Sequence, residues 1–299
     1  MLKLLNLLII YTIPIIPKFF IKIFATRYVA GISIQDALDT VKILNNKKLS
    51  VTLDILGEHT NNKEEATSIA NDYVKILEQI KFSKSDCNIS IKPSHIGTDI
   101  NNEIFIKNLQ IIHSTATNTN NFVRIDMEDS SLIDKSINAY NERFKIDSNI
   151  GIVLQAYLCR SENDLKNLQN HSNLRLCKGI YNESEKISIK DTISINKNYI
   201  NLLKLAFKKN IYVGIASHDI TLIQSCIKVI KEMGIPNKCF EFQILYGVPM
   251  DKTIQVLQNN NYKIRVYVPF GPDWYDYSIR RIKENPNIFL YIIKNLFKR

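Results

Sequence analysis

From residue 49 onward the chain repeats one pattern: a short apolar run ends in polar, often glycine-bearing residues, and a stretch with helical spacing comes next. The strand candidates are Ser50–Leu56, Asn88–Lys92, Phe122–Met127, Gly151–Ala156, Leu174–Lys178, Tyr212–Ala216, Glu241–Leu245 and Ile264–Val268. Helical spacing runs between them, as in Glu64–Gln79, Glu103–Thr115, Leu132–Phe144, Ile195–Lys209 and Ile220–Met233. Strands alternating with helices predict an α/β fold with a parallel sheet, and eight strands are the number that closes one into a (β/α)8 TIM-like barrel. No Gly-rich phosphate fingerprint follows the first strand, which argues against a Rossmann fold.

Two segments precede the repeat. Residues 2–24 are the most apolar stretch, but Pro14, Pro17 and Lys18 interrupt it. A spanning helix needs about 20 apolar residues, and Ala25-Thr26-Arg27 is a poor signal-peptidase site. The stretch is therefore expected to be an amphipathic arm that packs on the domain or lies on a membrane surface. Residues 32–46 place Ile34, Ala37, Leu38, Val41 and Leu44 at helical spacing. The expected organisation is an N-terminal helical arm over 1–46 and a barrel with C-terminal helices over 47–299.

The last stretch, Lys263–Glu284, joins pattern to chemistry. Ile264, Val266 and Val268 alternate with Arg265 and Tyr267 as in a strand. Pro269, Gly271 and Pro272 are expected to stop it, and Asp273 fits a helix N-cap. Tyr277, Arg280 and Arg281 then fall at i, i+3 and i+4, on one helical face. Converging guanidinium groups repel each other, and a carboxylate or phosphate relieves that repulsion by taking bidentate hydrogen bonds. A solvated basic face is the other reading, and spacing alone leaves both open.

At 299 residues, with 45% hydrophobic content, the chain suits one such barrel, which runs to roughly 250 residues. The net charge is +10, but the lysines are scattered. No aromatic–basic interleaving marks a nucleic-acid groove, while a weak attraction to anionic membranes stays open. The five cysteines, at 87, 159, 177, 226 and 239, lack metal-ligand or CxxC spacing and read as reduced, mostly buried thiols.

A barrel places its chemistry at the C-terminal strand ends, and polar residues fall there. In order they are Gly57 and Glu58; Lys92, Ser94 and His95; Arg124, Asp126, Glu128 and Asp129; Gln155 and Tyr157; Arg175, Lys178 and Gly179; Ser217, His218 and Asp219; Gln243 and Tyr246; and Tyr267. Each has an ordinary structural use, as Asp219 would have in capping the next helix. Neither His95 nor His218 has an HxxxH or HxH partner, which argues against zinc, and there is no nucleophile elbow. The functional signal is their coincidence at one mouth. Lys92, Arg175, Lys178, Arg280 and Arg281 outweigh Asp126 and Glu58 there, so an anionic substrate and a large anionic cofactor are expected. No general base stands out as poised near neutral pH, which favours hydride transfer to a bound cofactor. A Schiff base on Lys92 or Lys178 is the competing chemistry.

LGE at 56–58, IKPSHIG at 91–97, VRIDMED at 123–129, LQAYL at 154–158, RLCKGIY at 175–181, ASHD at 216–219, FEFQILYGV at 240–248 and YVPFG with WYDYSIRRIKEN over 267–285 resemble proline dehydrogenase. They come in that family's order, one per strand end, and cover residue 20 to the C-terminus. The chain is similar to the short, single-function bacterial form, without a fused aldehyde dehydrogenase or DNA-binding segment.

The resemblance implies a distorted barrel that binds FAD and oxidises L-proline to Δ1-pyrroline-5-carboxylate by hydride transfer. Electrons would pass to a membrane quinone, and a separate pyrroline-5-carboxylate dehydrogenase would complete catabolism to glutamate. It implies a cytoplasmic enzyme, peripheral on the inner membrane, or one on the mitochondrial matrix side in a eukaryote. Asp126 and Arg175 match catalytic positions, Arg175 beside the flavin and Asp126 holding Lys92 and the local charge network. Arg280 and Arg281 match a clamp on the proline carboxylate, assisted by Lys92, with Tyr267 and Tyr277 on the pyrrolidine ring. Glu58 matches a gate closed by an ion pair with Arg280. Met127, Gln155, Lys178, Gly179, Ile180, Ser217 and His218 match FAD contacts, and no metal is implied. Two motifs depart: the usual KGAY is KGIY and the usual THD is SHD. Ile180 is expected to shift the flavin phosphate contact, and Ser217 to keep the needed hydroxyl. Tyr267 resembles proline-specific members, since hydroxyproline-oxidising relatives carry a smaller residue.

Overall fold

Eight parallel strands pair in chain order, and the first closes on the last. They are β1 Ser50–Ile55, β2 Cys87–Ile91, β3 Val123–Ile125, β4 Ile150–Gln155, β5 Asn173–Cys177, β6 Tyr212–Ala216, β7 Phe240–Leu245 and β8 Ile264–Phe270. Each matches a predicted run to within a few residues. Pro269 does not stop β8 as expected, because it has no N–H to satisfy and its carbonyl accepts from Ala30 N at 3.0 Å. This computed structural model describes residues 18–284; within its first and last helices the side chains of residues 18–20, 23–24 and 280–284 lie outside the description.

The helices are α1 Lys18–Tyr28, α2 Ile34–Asn46, α3 Lys63–Ser83, α4 Asn102–Asn118, α5 Ile133–Phe144, α6 Ser161–Asn167, α7 Thr192–Lys208, α8 Ile220–Glu232, α9 Asp251–Asn259 and α10 Trp274–Glu284. Helix α3 shows why they form. Ala66, Ala70, Tyr73, Leu77 and Ile80 recur at helical spacing and are all buried, while Asn62 caps the start by accepting from Glu65 N. Burying each large aliphatic side chain contributes about 1.5–3 kcal/mol. Asn101, Asp191 and Asp219 cap α4, α7 and α8 in the same way. These caps follow strand ends, so the barrel's C-terminal rim collects helix N-termini.

Along the strands, polar residues recur at every second position: Thr52 and Asp54, Ser90 and Lys92, Arg124 and Asp126, Asn173 and Arg175, Glu241 and Gln243, Arg265 and Tyr267. That period puts them on one face of the sheet. Arg175 of β5 bonds Ser90 of β2, and Tyr267 of β8 bonds Asp126 beyond β3. Strands that are not neighbours can meet only across the lumen, so the polar face points inward. Intervening residues such as Leu53, Ile89, Ile125, Phe242 and Val266 are buried in the layer beneath the helices.

Residues 1–17 of the predicted arm lie outside the described residues. Its remainder packs on the domain: Ile21, Tyr28 and Val29 form a buried cluster with Leu56 and with Tyr277 of α10. Among the described residues no helix is long and apolar enough to cross a membrane.

Candidate active site

Asp126 is the hub of the C-terminal mouth. Its Oδ1 accepts from Arg175 Nη1 at 2.5 Å and from Ser90 Oγ at 2.9 Å, and its Oδ2 accepts from the Tyr267 hydroxyl at 2.8 Å. The Arg175 guanidinium lies 5.0 Å from the centre of the Tyr267 ring, close enough for a cation–π attraction. Its Nε donates to Gln243 Oε1 at 2.6 Å. Its Nη2 is buried and has no hydrogen-bond partner among the described residues.

Lys92 departs from expectation. Its hydrogen bonds go to Asp54 rather than Asp126: Nζ donates to both Asp54 oxygens, at 2.7 and 2.6 Å, and Asp126 acts on it only through its charge. The physical reason is that three donors already occupy Asp126, while β1 lies beside β2 with Asp54 opposite Ser90. Burial pushes the Asp54 carboxyl up to about 6, and Lys92 offsets only part of that. Burial pulls Lys92 down, but Asp54 and Asp126 outweigh it, so the ammonium titrates above its ordinary value. A carboxyl displaced toward neutral pH thus lies beside Lys92. The sequence masks it, because it lies inside the apolar run SVTLDIL, short of the polar strand end.

Glu58, Lys92, Asp126, Met127, Arg175, Lys178, Gly179, Ile180, Ser217, His218, Tyr267 and Tyr277 all line one cavity of ≈ 580 Å³. Tyr277 brings α10 to its edge. Arg280 and Arg281 lie on that helix, but their side chains, and so the Glu58–Arg280 pair, fall outside the described residues. Gln155 does not line the cavity; its amide donates to the Glu128 carbonyl at 3.0 Å.

Other strand-end residues have structural partners. Arg124 does not reach the mouth, because it bonds Ile152 O, Asn173 O and Asn173 Oδ1 deeper in the lumen. Glu128 accepts from Ser94 N at 2.8 Å and Ser94 Oγ at 2.5 Å, tying the loop after β3 to the turn after β2. His95 is buried, and burial chiefly lowers its pKa to about 3.

Lys178 Nζ donates to Asp219 Oδ2 at 2.6 Å, the bond that chiefly holds this carboxyl at about 2. Asp219 also caps α8 through Leu222 N, as anticipated. His218 Nε2 accepts from Leu245 N at 2.9 Å, which fixes the neutral tautomer with the proton on Nδ1. Lys92, Arg175 and Lys178 are thus each paired with a carboxylate, and Glu58 and Glu128 add two more to the lining. The described part of the mouth is therefore not net positive, and any cationic surplus would have to come from Arg280 and Arg281.

A family model described as proline dehydrogenase matches residues 37–288. Proline dehydrogenase 1 of Bacillus subtilis (strain 168) is 34% identical over 276 residues, 92% of this chain and 91% of its own. The proline dehydrogenase of Deinococcus radiodurans is 33% identical over 281 residues, 92% of this chain and 90% of its own. Among solved structures, proline utilization A from Bdellovibrio bacteriovorus, inactivated by N-propargylglycine, superposes with a TM-score of 0.81 at 24% identity, covering 87% of this chain. Proline utilization A from Corynebacterium freiburgense gives 0.73 at 20% identity, covering 90% of this chain. This chain spans 32% of the length of each of those two, and at such identities they speak for the barrel alone. The sequence relatives go further: an enzyme-bearing barrel mouth, a family model over most of its length and relatives a third identical place the chain in the proline dehydrogenase family.

Proposed function

We propose that the chain oxidises L-proline to Δ1-pyrroline-5-carboxylate, using FAD as hydride acceptor and a membrane quinone as final electron sink. Family membership supports proline oxidation. The observation that carries the finer reading is Arg175, braced at Nε and Nη1 while its buried Nη2 has no partner among the described residues. A buried unpaired donor is costly, and an acceptor atom of a bound group would relieve it.

The rest of the cavity fits a planar anionic cofactor. At Gly179, φ is +110° and an added Cβ would lie 2.1 Å from the Tyr157 ring, so bare backbone is required at the wall. Lys178, Ser217 and His218 bring donors to the same side. Met127, Lys178, Gly179, Ile180, Ser217 and His218 would hold FAD, with Gln155 bracing the segment after β3 through the Glu128 carbonyl. FAD, when bound, supplies the two-electron acceptor. The protein's own task is placement. Lys92, Arg280 and Arg281 would bind the substrate carboxylate, Tyr267 and Tyr277 would flank its ring, and Val153, Ala216 and Leu245 would keep water out.

A Schiff-base reading needs an uncharged lysine. Lys92 is held protonated by Asp54, and Lys178 is ion-paired with Asp219, so this chemistry is disfavoured. The +10 charge and the apolar N-terminal stretch support a peripheral position on the quinone-bearing membrane, on its cytoplasmic or matrix side. A separate pyrroline-5-carboxylate dehydrogenase would take the product.

A visible absorption spectrum tests the reading. Purified protein should show flavin bands that proline bleaches without nicotinamide. Protein that retains no flavin after reconstitution would sink it.

A further inference from the structure

Behind Arg175 runs a line of hydrogen bonds that nothing in the proposed chemistry requires. Gln243 Oε1 accepts from Arg175 Nε at 2.6 Å, and Gln243 Nε2 donates to Glu241 Oε1 at 2.7 Å. The same Glu241 oxygen accepts from Arg265 Nε at 2.7 Å, and Arg265 Nη1 donates to Val51 O at 2.6 Å. The line descends from the mouth to the lower lumen, and Gln243 is its joint.

A glutamine amide has two ends of nearly equal shape and opposite polarity. Here both neighbours dictate which end goes where. An ionised carboxylate only accepts, so Nε2 must face Glu241. A guanidinium only donates, so Oε1 must face Arg175. Glu241 stays ionised: burial pushes its carboxyl up, but Arg265 reverses this and holds it at about 2. Lys263, 3.6 Å away, adds a second cation. On β6, Gly214 makes room, since an added Cβ there would lie 2.4 Å from Gln243 Nε2. Gln243 is itself buried.

We infer that Gln243 is a positioning residue: its amide, oriented by Glu241, grips Arg175 at Nε while Asp126 grips Nη1, and the two anchors fix where the remaining, buried Nη2 lies at the cavity wall. A planar group held at two corners has its third corner fixed. The orientation stands on the geometry alone; its kinetic consequence rests on the proposed flavin and proline chemistry.

The test uses the full chain with Gln243→Met, which keeps the side-chain length and removes both polar ends. In 15N spectra the Arg175 Nε–H signal, identified by its loss in Arg175→Lys, should exchange slowly with solvent in the wild type. In Gln243→Met, with its cooperative melt intact, exchange should be faster by about tenfold or more, and kcat for proline should fall about tenfold with KM changed less than about twofold, as for other supports of a working side chain. Gly214→Ala leaves every polar group in place but crowds the amide, and should move the same signal; it serves alone if Gln243→Met does not fold. An Nε–H signal equally protected in the folded variants overturns the inference, as does an unchanged kcat. A wild type that takes up no flavin sinks the functional reading instead, and the exchange measurement still decides this one.

Discussion

Replacing Asp54 by Asn strands a buried ammonium. In the wild type Lys92 Nζ lies 2.6 and 2.7 Å from the Asp54 oxygens, with the two side chains 12% and 2% exposed. At that separation the gross attraction is roughly 6 kcal/mol for an effective dielectric of about 20. Hydration lost by both ions cancels much of it, but removing one partner leaves the other uncompensated, at a cost of about 3–5 kcal/mol. Asn still offers one acceptor, and the wild-type carboxylate carries a burial cost of its own that Lys92 only partly offsets, so a loss below that range, about 2 kcal/mol, is expected. At an unfolding entropy of about 2.1 cal/mol/K per residue, that is a fall in Tm of about 3 °C. Lys92→Met should cost less at low pH, because Asp54 can bind a proton. Linkage gives the sign: with its folded pKa raised from 3.8 to about 6, Asp54 binds its proton more tightly in the folded state. Asp54's own contribution is therefore complete below the unfolded value and is lost as pH climbs through the folded one, and without Lys92 that loss extends further. Urea melts of the wild type, both single variants and the double variant at acid and alkaline pH measure this. A loss under about 1 kcal/mol in Asp54→Asn, or a double variant equal to the sum of the singles, would refute the paired-ion account.

Three further outcomes are expected. The Asp99 hydrogen bond at 2.6 Å chiefly raises the His59 pKa; His59 is 62% exposed, so the pair contributes only about 0.5 kcal/mol. That contribution is complete below the unfolded value of 6.5 and fades as pH rises through the folded one, so the stability gap between wild type and His59→Gln should close in alkaline melts. Gly179→Ala forces a strained φ against the Tyr157 ring and should cost about 1–3 kcal/mol, together with flavin retention, as read by gel filtration of the coloured protein. Tyr267→Phe loses a hydrogen bond to a charged acceptor, worth about 1.5–3 kcal/mol, but keeps a ring beneath Arg175. Its kcat/KM should exceed that of Tyr267→Leu, and equal values would show that the ring contact does nothing.

The barrel was legible because each strand is a short apolar run closed by polar residues, and because eight such runs admit one closure. Residues at strand ends, such as Asp126, Arg175 and Tyr267, could be placed at the mouth for the same reason. Their partners could not. Lys92 is flanked by Asp54 on one neighbouring strand and Asp126 on the other, and only the lumen geometry shows that Arg175, Ser90 and Tyr267 have claimed the second. Arg124 shares the parity of Asp126 but sits one layer lower, a difference of depth that residue type does not encode. A signal for the missed acid did exist: Thr52 and Asp54 are polar at alternate positions of a strand buried throughout, which an aliphatic lumen would not tolerate.

That inward-facing polarity has a thermal consequence. Exposing apolar surface on unfolding raises the heat capacity, whereas exposing polar surface lowers it. A cylinder filled with guanidinium, carboxylate and amide groups should therefore unfold with a smaller heat-capacity increment than one of equal length packed with valine and leucine. Its free energy would bend less with temperature, holding a flatter plateau on the way to the melt.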